Sequence, residues 1–460
     1  RLVDMTAEVV ERRQVDPRVL SNILLAAAYL SGKHPALAPL ARLCAATLPR
    51  LHGVGARELA NSAWALAKLG ERDQLALGYI ARESLVRMGS FQVLDLSRLA
   101  WALATHSWRD PSLMRALARS AGPQAGTFEP QGLANLAWAC ARLAAAEPCL
   151  LDAVARASLA KMPAFKPQNL ANLAWALATL TGDDADHSPR GFIAQERELC
   201  GGIAQAAMPI LKDFKPEGLA ALASAFAKLR FRDEALLGDI ARATTSLSGQ
   251  LKPQETASLA WAFARLSARD LALLGTLAEE AEAKSGALGP QSLSNLLWAF
   301  ASLSFGPRPL IGTLAAEARA KLADFAPQGL SNLALALAKL GEGDGARGLF
   351  RALASEAAPR LAHFKPQELS NLAWAFAASG LRDERLFAAL AAEADGRLPS
   401  FATQNLSNLA WAFAVLSLED CELFAALEEE ARVKIQSFAP QGLSNLAWSF
   451  ATVALRSPRL

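Results

Sequence analysis

Nine asparagines occupy one position of a repeating pattern: Asn22, Asn61, Asn135, Asn172, Asn295, Asn332, Asn371, Asn408 and Asn445. Each side chain offers an acceptor oxygen and two N–H donors on one plane, the complement of a nucleobase edge or of a peptide backbone. Seven residues further on, the pattern is basic in five copies (Lys68, Arg142, Lys228, Arg265 and Lys339) and acidic in none, with Thr179 in another copy. Three residues before the Asn, a second variable position holds Asn169 and Asn405 in two copies. Amides beside cations suit a polymer with hydrogen-bonding units on an anionic backbone. Amides can meet base edges while Lys and Arg meet phosphates.

Chemistry of other kinds is not indicated. No Ser/His/Asp or Cys/His set, phosphate loop or carboxylate pair stands out from the repeat, so no catalytic residue is expected. The five histidines (His34, His52, His106, His187 and His363) and five cysteines (Cys44, Cys140, Cys149, Cys200 and Cys421) show neither metal-ligand spacing nor a CxxC pair. The thiols read as small core residues, and no metal, cofactor or small-molecule substrate is expected.

These positions fall in a unit of about 37 residues, visible on comparing FKPQNLANLAWALA (165–178) with FKPQELSNLAWAFA (364–377). Trp64, Trp101, Trp138, Trp175, Trp261, Trp298, Trp374, Trp411 and Trp448 align, and Leu25, Ser224 and Leu335 take that place in three more copies. The steps are 37 or 39 residues except for 49 between Trp175 and Ser224, which puts an insertion at about 181–198. Each unit predicts two helices. The first carries Pro in its opening turn, where the missing N–H costs nothing. First helices are expected at about 17–30, 56–69, 93–106, 130–143, 167–180, 216–229, 253–266, 290–303, 327–340, 366–379, 403–416 and 440–453. They are expected to stop near Gly70, Gly182, Gly341 and Gly380 in four copies. Nine residues after the Trp position stand Asp73, Asp110, Asp233, Asp270, Asp344, Asp383 and Asp420, read as N-caps of the second helices. Apolar residues such as Phe128 and Phe364 close the loop before the next unit. Residues 1–15 read as a partial second helix and Ser457-Pro458 as the start of another. With Arg at position 1, the chain is expected to be a segment of a longer protein whose targeting segment lies outside it. The fold class is therefore all-α: one α-solenoid over residues 1–460, of about twelve helix-turn-helix repeats.

On a helical wheel, Leu170, Leu173, Leu177 and Leu180 form the buried face, and Ala171, Ala174 and Ala178 a small-residue face for a neighbouring helix. The recurrent Trp is expected in the core. The free arc is then Gln168, Asn169, Asn172, Ala176 and Thr179, with the Ala after each Trp as a flat floor. Twelve units at helix-packing distance would span roughly 100 Å, on the order of ten nucleotides.

Hydrophobic residues make up 52% and mean hydropathy is +0.17, yet no run reaches the ~20 apolar residues of a membrane span, so no membrane insertion is expected. Net charge is only +3. Acids gather on the second helices, as at Glu279, Glu280, Glu393 and Glu428 to Glu430, which implies more basic first helices.

Pro-Gln, then Leu-Ala/Ser-Asn-Leu-Ala-Trp-Ala-Leu/Phe-Ala, at 37–39-residue spacing resembles the octotricopeptide repeat family over almost the whole chain. The sequence departs from that motif at Arg57, Leu94, Thr403, Ala221 and Ser224. The resemblance implies an organellar protein, mitochondrial or plastid, that binds single-stranded RNA in processing, stability, splicing or translation. An RNA-holding subunit of an organellar ribosome, gripping rRNA among other proteins, is a related reading. The alternative is a peptide-binding scaffold, in which Glu58, Asp95, Glu255 and Glu368 read a basic segment.

Overall fold

The structure is a computed structural model that describes residues 15–30, 37–145, 147–181, 195–341 and 344–454. Within them lie twelve first helices and eleven second helices, alternating along the chain, so the fold is all-α and solenoid-like. The first helices are Pro17–Leu30, Ala56–Leu69, Val93–Thr105, Pro130–Leu143, Pro167–Thr181, Pro216–Lys228, Pro253–Arg265, Pro290–Ser302, Pro327–Leu340, Pro366–Ala378, Thr403–Val415 and Pro440–Ala454. Every start agrees with the repeat pattern, and every end lies within one residue of it. The partial helix expected at 1–15, most of the insertion at 181–198, Gly182 and Ser457-Pro458 fall outside the described residues.

The chain divides into two compact units, Arg1–Ile240 and Ala241–Leu460. In each, consecutive first helices pack side by side, more closely than consecutive second helices do. The cause is the alanine content. Ala171, Ala174, Ala176 and Ala178 of the helix Pro167–Thr181 are all buried, and with no side chain beyond Cβ they let backbones approach. Leu170, Leu173 and Leu177 fill the space toward the second helices, each at most 2% exposed.

Local chemistry sets both turns of each hairpin. Asp73 accepts from the N–H groups of Leu75 and Ala76 at 2.9 and 3.0 Å, and Asp110, Asp233, Asp270, Asp383 and Asp420 cap their helices in the same way. Eight of the first helices end in a left-handed residue six positions after the Trp place. Gly70 and Gly380 serve there, but so do Ser107, Ala144, Arg230, Ser267, Ser304 and Ser417, with φ between 49° and 55°. The Glu71 N–H donates to Leu66 O at 3.0 Å, and Ala145 N–H to Cys140 O at 2.9 Å, closing the same C-terminal motif with or without glycine. A 3₁₀ turn such as Met162–Ala164 then follows the second helix, and the next residue, Phe165, is buried.

A recurrent brace ties several of these turns to the preceding repeat. Lys161 Nζ donates to Phe128 O at 2.7 Å, Arg360 to Phe325 O at 2.6 Å, Arg397 to Phe364 O at 2.7 Å and Lys434 to Phe401 O at 2.7 Å. One turn earlier on the second helix, Glu356, Glu393 and Glu430 pair with the same cations. The acids of the second helices are thus partly structural. Of the cysteines expected in the core, Cys44, Cys140 and Cys200 are buried, and burial pushes each thiol up to about 12. Cys149 and Cys421 are exposed, each on the solvent side of a second helix's first turn.

Candidate nucleic-acid interface

Within each unit the inner first helices are sandwiched between their equivalents and backed by second helices, so one seam is left free. In Pro167–Thr181 that seam is Gln168, Asn172, Trp175 and Thr179, spaced four, three and four residues apart. Two expectations are corrected here. The Trp is not core: from Trp64 to Trp411 the aligned indoles are partly exposed, and Trp448 is 48% exposed. The Ala after it is no floor: Ala65, Ala139, Ala176, Ala299 and Ala412 are wholly buried against the neighbouring first helix. An indole is too large to fit between helices held at alanine distance, so it turns outward.

The exposed indoles form columns. Within the first unit, Tyr29 and Trp64 have ring centroids 5.3 Å apart, Trp64 and Trp101 6.3 Å, and Trp138 and Trp175 6.2 Å. Within the second, Trp374 and Trp411 stack at 6.1 Å and 27°. Tyr29 itself is 68% exposed. Amides flank the columns. Gln168 Nε2 donates to Asn172 Oδ1 at 3.0 Å, while Asn135, Asn295, Asn332, Asn371, Asn408 and Asn445 are partly exposed and Asn22 is exposed. Asn61 is buried, its Oδ1 accepting from Arg98 Nη1, and the same guanidinium lies 6.0 Å from the Trp64 ring. Lys68, Arg142, Arg265 and Lys339 are exposed and Lys228 partly so. Lys339 Nζ sits 5.9 Å over the Trp298 ring and donates to Ser302 Oγ at 3.4 Å. Thr179 Oγ1 donates back to Trp175 O at 2.8 Å, so its hydroxyl keeps only acceptor capacity for a ligand.

The variable position after the Gln belongs to helix starts instead of the seam. Asn169 Oδ1 accepts from Lys166 N–H at 3.2 Å, Asp95 from Gln92 N–H at 3.2 Å, Glu255 from Lys252 N–H at 2.8 Å and Glu368 from Lys365 N–H at 2.9 Å. Where Gly stands there, as at Gly132 and Gly218, a Cβ would meet the loop-closing Phe128 or Phe214 ring at 3.0 or 3.1 Å. Asn405 is partly exposed at the same place.

Four aligned rows therefore make the surface: Gln, Asn, Trp and the position after them. The first unit places Arg18, Arg57, Lys68, Arg98, Arg142 and Lys228 in these rows against one acid, Glu217. The second places Arg265 and Lys339 against none. Sequence reading passed over Arg18 and Arg57 because they replace Gln; aligning the rows by charge instead of residue type would have found them.

Such a molecule is an α-helical repeat protein with an amide-, aromatic- and cation-lined seam. A family profile, the RNA-editing substrate-binding complex 6 protein, matches residues 204–458, more than half of the chain. The chain belongs to that family, whose members are non-catalytic. The likeness to octotricopeptide repeats accordingly stands at the level of a helical-repeat protein, and the family is a different one. No curated protein matches the chain in sequence. Among structures, a homology model of the full-length AP-3 complex in an intermediate open conformation is 12% identical over 98% of this chain and 76% of its own, with a TM-score of 0.35. APUM23 with its insert region deleted, with GGAAUUGACGG, is 14% identical over 100% and 97% at 0.27. A circular tandem repeat protein is 13% identical over 98% and 96% at 0.19. Scores this low bear on no functional question.

Proposed function

We propose that the protein is a non-catalytic subunit of an RNA-editing substrate-binding complex in the mitochondrion, holding single-stranded RNA along the seams of its first helices. Family membership supports the complex and the compartment over a plastid or ribosomal setting. Other subunits of that complex are its protein partners. The observation that carries the RNA reading is the four-row seam: outward indoles for stacking, amides for base edges and cations for phosphates, with Glu217 the one acid in the rows. The residues assigned to contact are the row asparagines other than Asn61, which is buried against Arg98, together with Lys68, Arg142, Thr179, Lys228, Arg265 and Lys339, with Asn405 at the margin. Asn169 is left to its capping role. A unit-by-unit reading, of the kind octotricopeptide repeats resemble, is the finer form of the proposal. The period of 37 runs unbroken from Ser224 to Trp261 and supports one continuous repeat array in sequence.

The peptide-scaffold reading loses its main support, since Asp95, Glu255 and Glu368 are bonded to their own helix starts.

Fluorescence anisotropy with a randomised single-stranded RNA pool tests the proposal. Each phosphate contact contributes about 0.7 to the salt slope of single-strand binding. The variant Lys68→Ala/Arg142→Ala/Lys228→Ala is therefore expected to lower the slope by ~2 and to weaken binding ~100-fold at about 0.1 M salt. Absence of salt-dependent binding by the wild-type chain at low salt would refute it.

A further inference from the structure

At the first three repeats of the Arg1–Ile240 unit, the seam opens into a cleft bordered by Arg18, Arg57, Arg98, Asn22, Asn61 and Glu58. Arg18 and Arg57 stand at the second position of the helices Pro17–Leu30 and Ala56–Leu69, and the carboxylate of Asp16 already accepts from the Arg18 backbone N–H at 2.8 Å, so the guanidiniums and not the helix starts supply the cleft's positive charge. Both side chains are exposed, and neither makes an ion pair among the described residues. Arg98 enters from the third helix and is held in place by Asn61 and the Trp64 ring, leaving further N–H groups of its fork to donate. Glu58 also borders the cleft, at the start of its own helix, with its Oε2 2.5 Å from where a Cβ on Gly55 would stand, so three guanidiniums face one carboxylate there. Nowhere else do these rows bring three guanidiniums together in consecutive repeats.

We infer that this cleft is a phosphate-binding site, which fixes one end of the bound strand by a phosphate group clamped between Arg18, Arg57 and Arg98. Guanidinium forks match phosphate oxygens two by two and stay charged at every working pH, so they hold the group more directionally than the scattered lysines of the other rows. Asn22 adds an amide beside the clamp for the adjoining sugar or base. The site deepens the RNA reading and rests on it. The shared chemistry is the phosphate, supplied either by an internal phosphodiester or by a terminal phosphate.

The test uses the full chain and the variant Arg18→Ala/Arg57→Ala, whose exposed side chains carry no core packing; unchanged thermal unfolding verifies its fold. Single-stranded 12-mers with a 5′-hydroxyl or a 5′-phosphate are titrated at several salt concentrations, with Lys339→Ala as the control from the second unit. The double variant is expected to lose ~25-fold in affinity at about 0.1 M salt and ~1.4 in salt slope, twice the single-strand contribution of one phosphate contact. Preference of the wild type alone for the 5′-phosphate identifies a terminal phosphate, and equal loss with both oligonucleotides identifies a phosphodiester. Wild-type affinity and slope in the double variant, with Lys339→Ala weakened, would overturn the cleft and leave the RNA reading standing. If no RNA binds the wild type, calorimetry with inorganic pyrophosphate separates the two. Heat that disappears in the double variant keeps the cleft as an anion site while the RNA reading falls, and absence of heat removes both.

Discussion

Replacing Lys284 by Met should destabilise the protein about twice as much as the equivalent change at Lys321, although sequence makes the two lysines look alike. Lys284 Nζ donates to Leu251 O at 2.5 Å and Gly249 O at 3.5 Å and pairs with Glu280, which also accepts from the Gly249 N–H. The Glu280 side chain is 4% exposed, so Lys284→Met strands a carboxylate away from water with one backbone donor left. Removing one partner of a buried pair costs about 3–5 kcal/mol, and the surviving donor puts this case near ~3 kcal/mol. Lys321 makes the same brace, to Leu288 O at 2.8 Å, Gly286 O at 3.0 Å and Glu317 at 3.3 Å, but the Glu317 side chain is 32% exposed. Water replaces the lost cation there, so the loss is two partly exposed carbonyl bonds and a surface pair, together ~1.5 kcal/mol. Glu280→Met added to Lys284→Met removes the stranded charge and should recover at least ~1 kcal/mol. Urea unfolding measures the three values, with hydrogen exchange at 249–251 as the local readout. Equal costs at 284 and 321, or a double variant less stable than Lys284→Met, would refute the argument from burial.

Two further outcomes follow from the hairpin turns. Ser107, Ala144, Ser267 and Ser304 hold left-handed φ values of 49–55°, which cost an L-residue roughly 1–2 kcal/mol. Glycine relieves that strain but brings chain entropy, so each Gly substitution should stabilise by about 0.5–1 kcal/mol and the four should add in thermal unfolding. His106 sits in one of these turns, where burial and then the nearby Arg72 cation hold its pKa below the ordinary 6.5. Above pH 6.5 the ring is neutral in both states. As pH falls through 6.5 and then through the lower folded value, the unfolded chain takes the proton first and stability declines. His106→Gln should flatten that decline between pH 7.5 and 5.5 in urea titrations, and an unchanged slope would exclude His106 as its source.

The repeat, its helix boundaries and its Asp caps were legible because each rests on local chemistry: Pro in a first turn, Asp before a helix, a leucine period. The face was only half legible. Trp175 and Ala176 are adjacent, and which of them points outward depends on how near the next helix lies, a distance set by alanines in another repeat. The polar position at Asp95, Asn169, Glu255 and Glu368 varies as a recognition position would, yet the variation reflects alternative ways to finish a helix start. The brace was hidden because its donor and acceptor lie 33 to 35 residues apart, in different repeats.

That distribution of acids explains how a chain with a net charge of +3 can present a cationic seam. The N-cap aspartates, the capping carboxylates and the brace glutamates all sit where a backbone N–H or a structural cation needs a negative partner. Each lies at a helix start or on the second helix, and the helical period keeps those places off the seam. The rows that remain carry few structural duties, so their basic residues meet little opposing charge. Neutralising the seam should therefore change ligand affinity with little loss of stability, whereas neutralising the braces should do the reverse. The two kinds of charge share one sequence, and position in the repeat tells them apart.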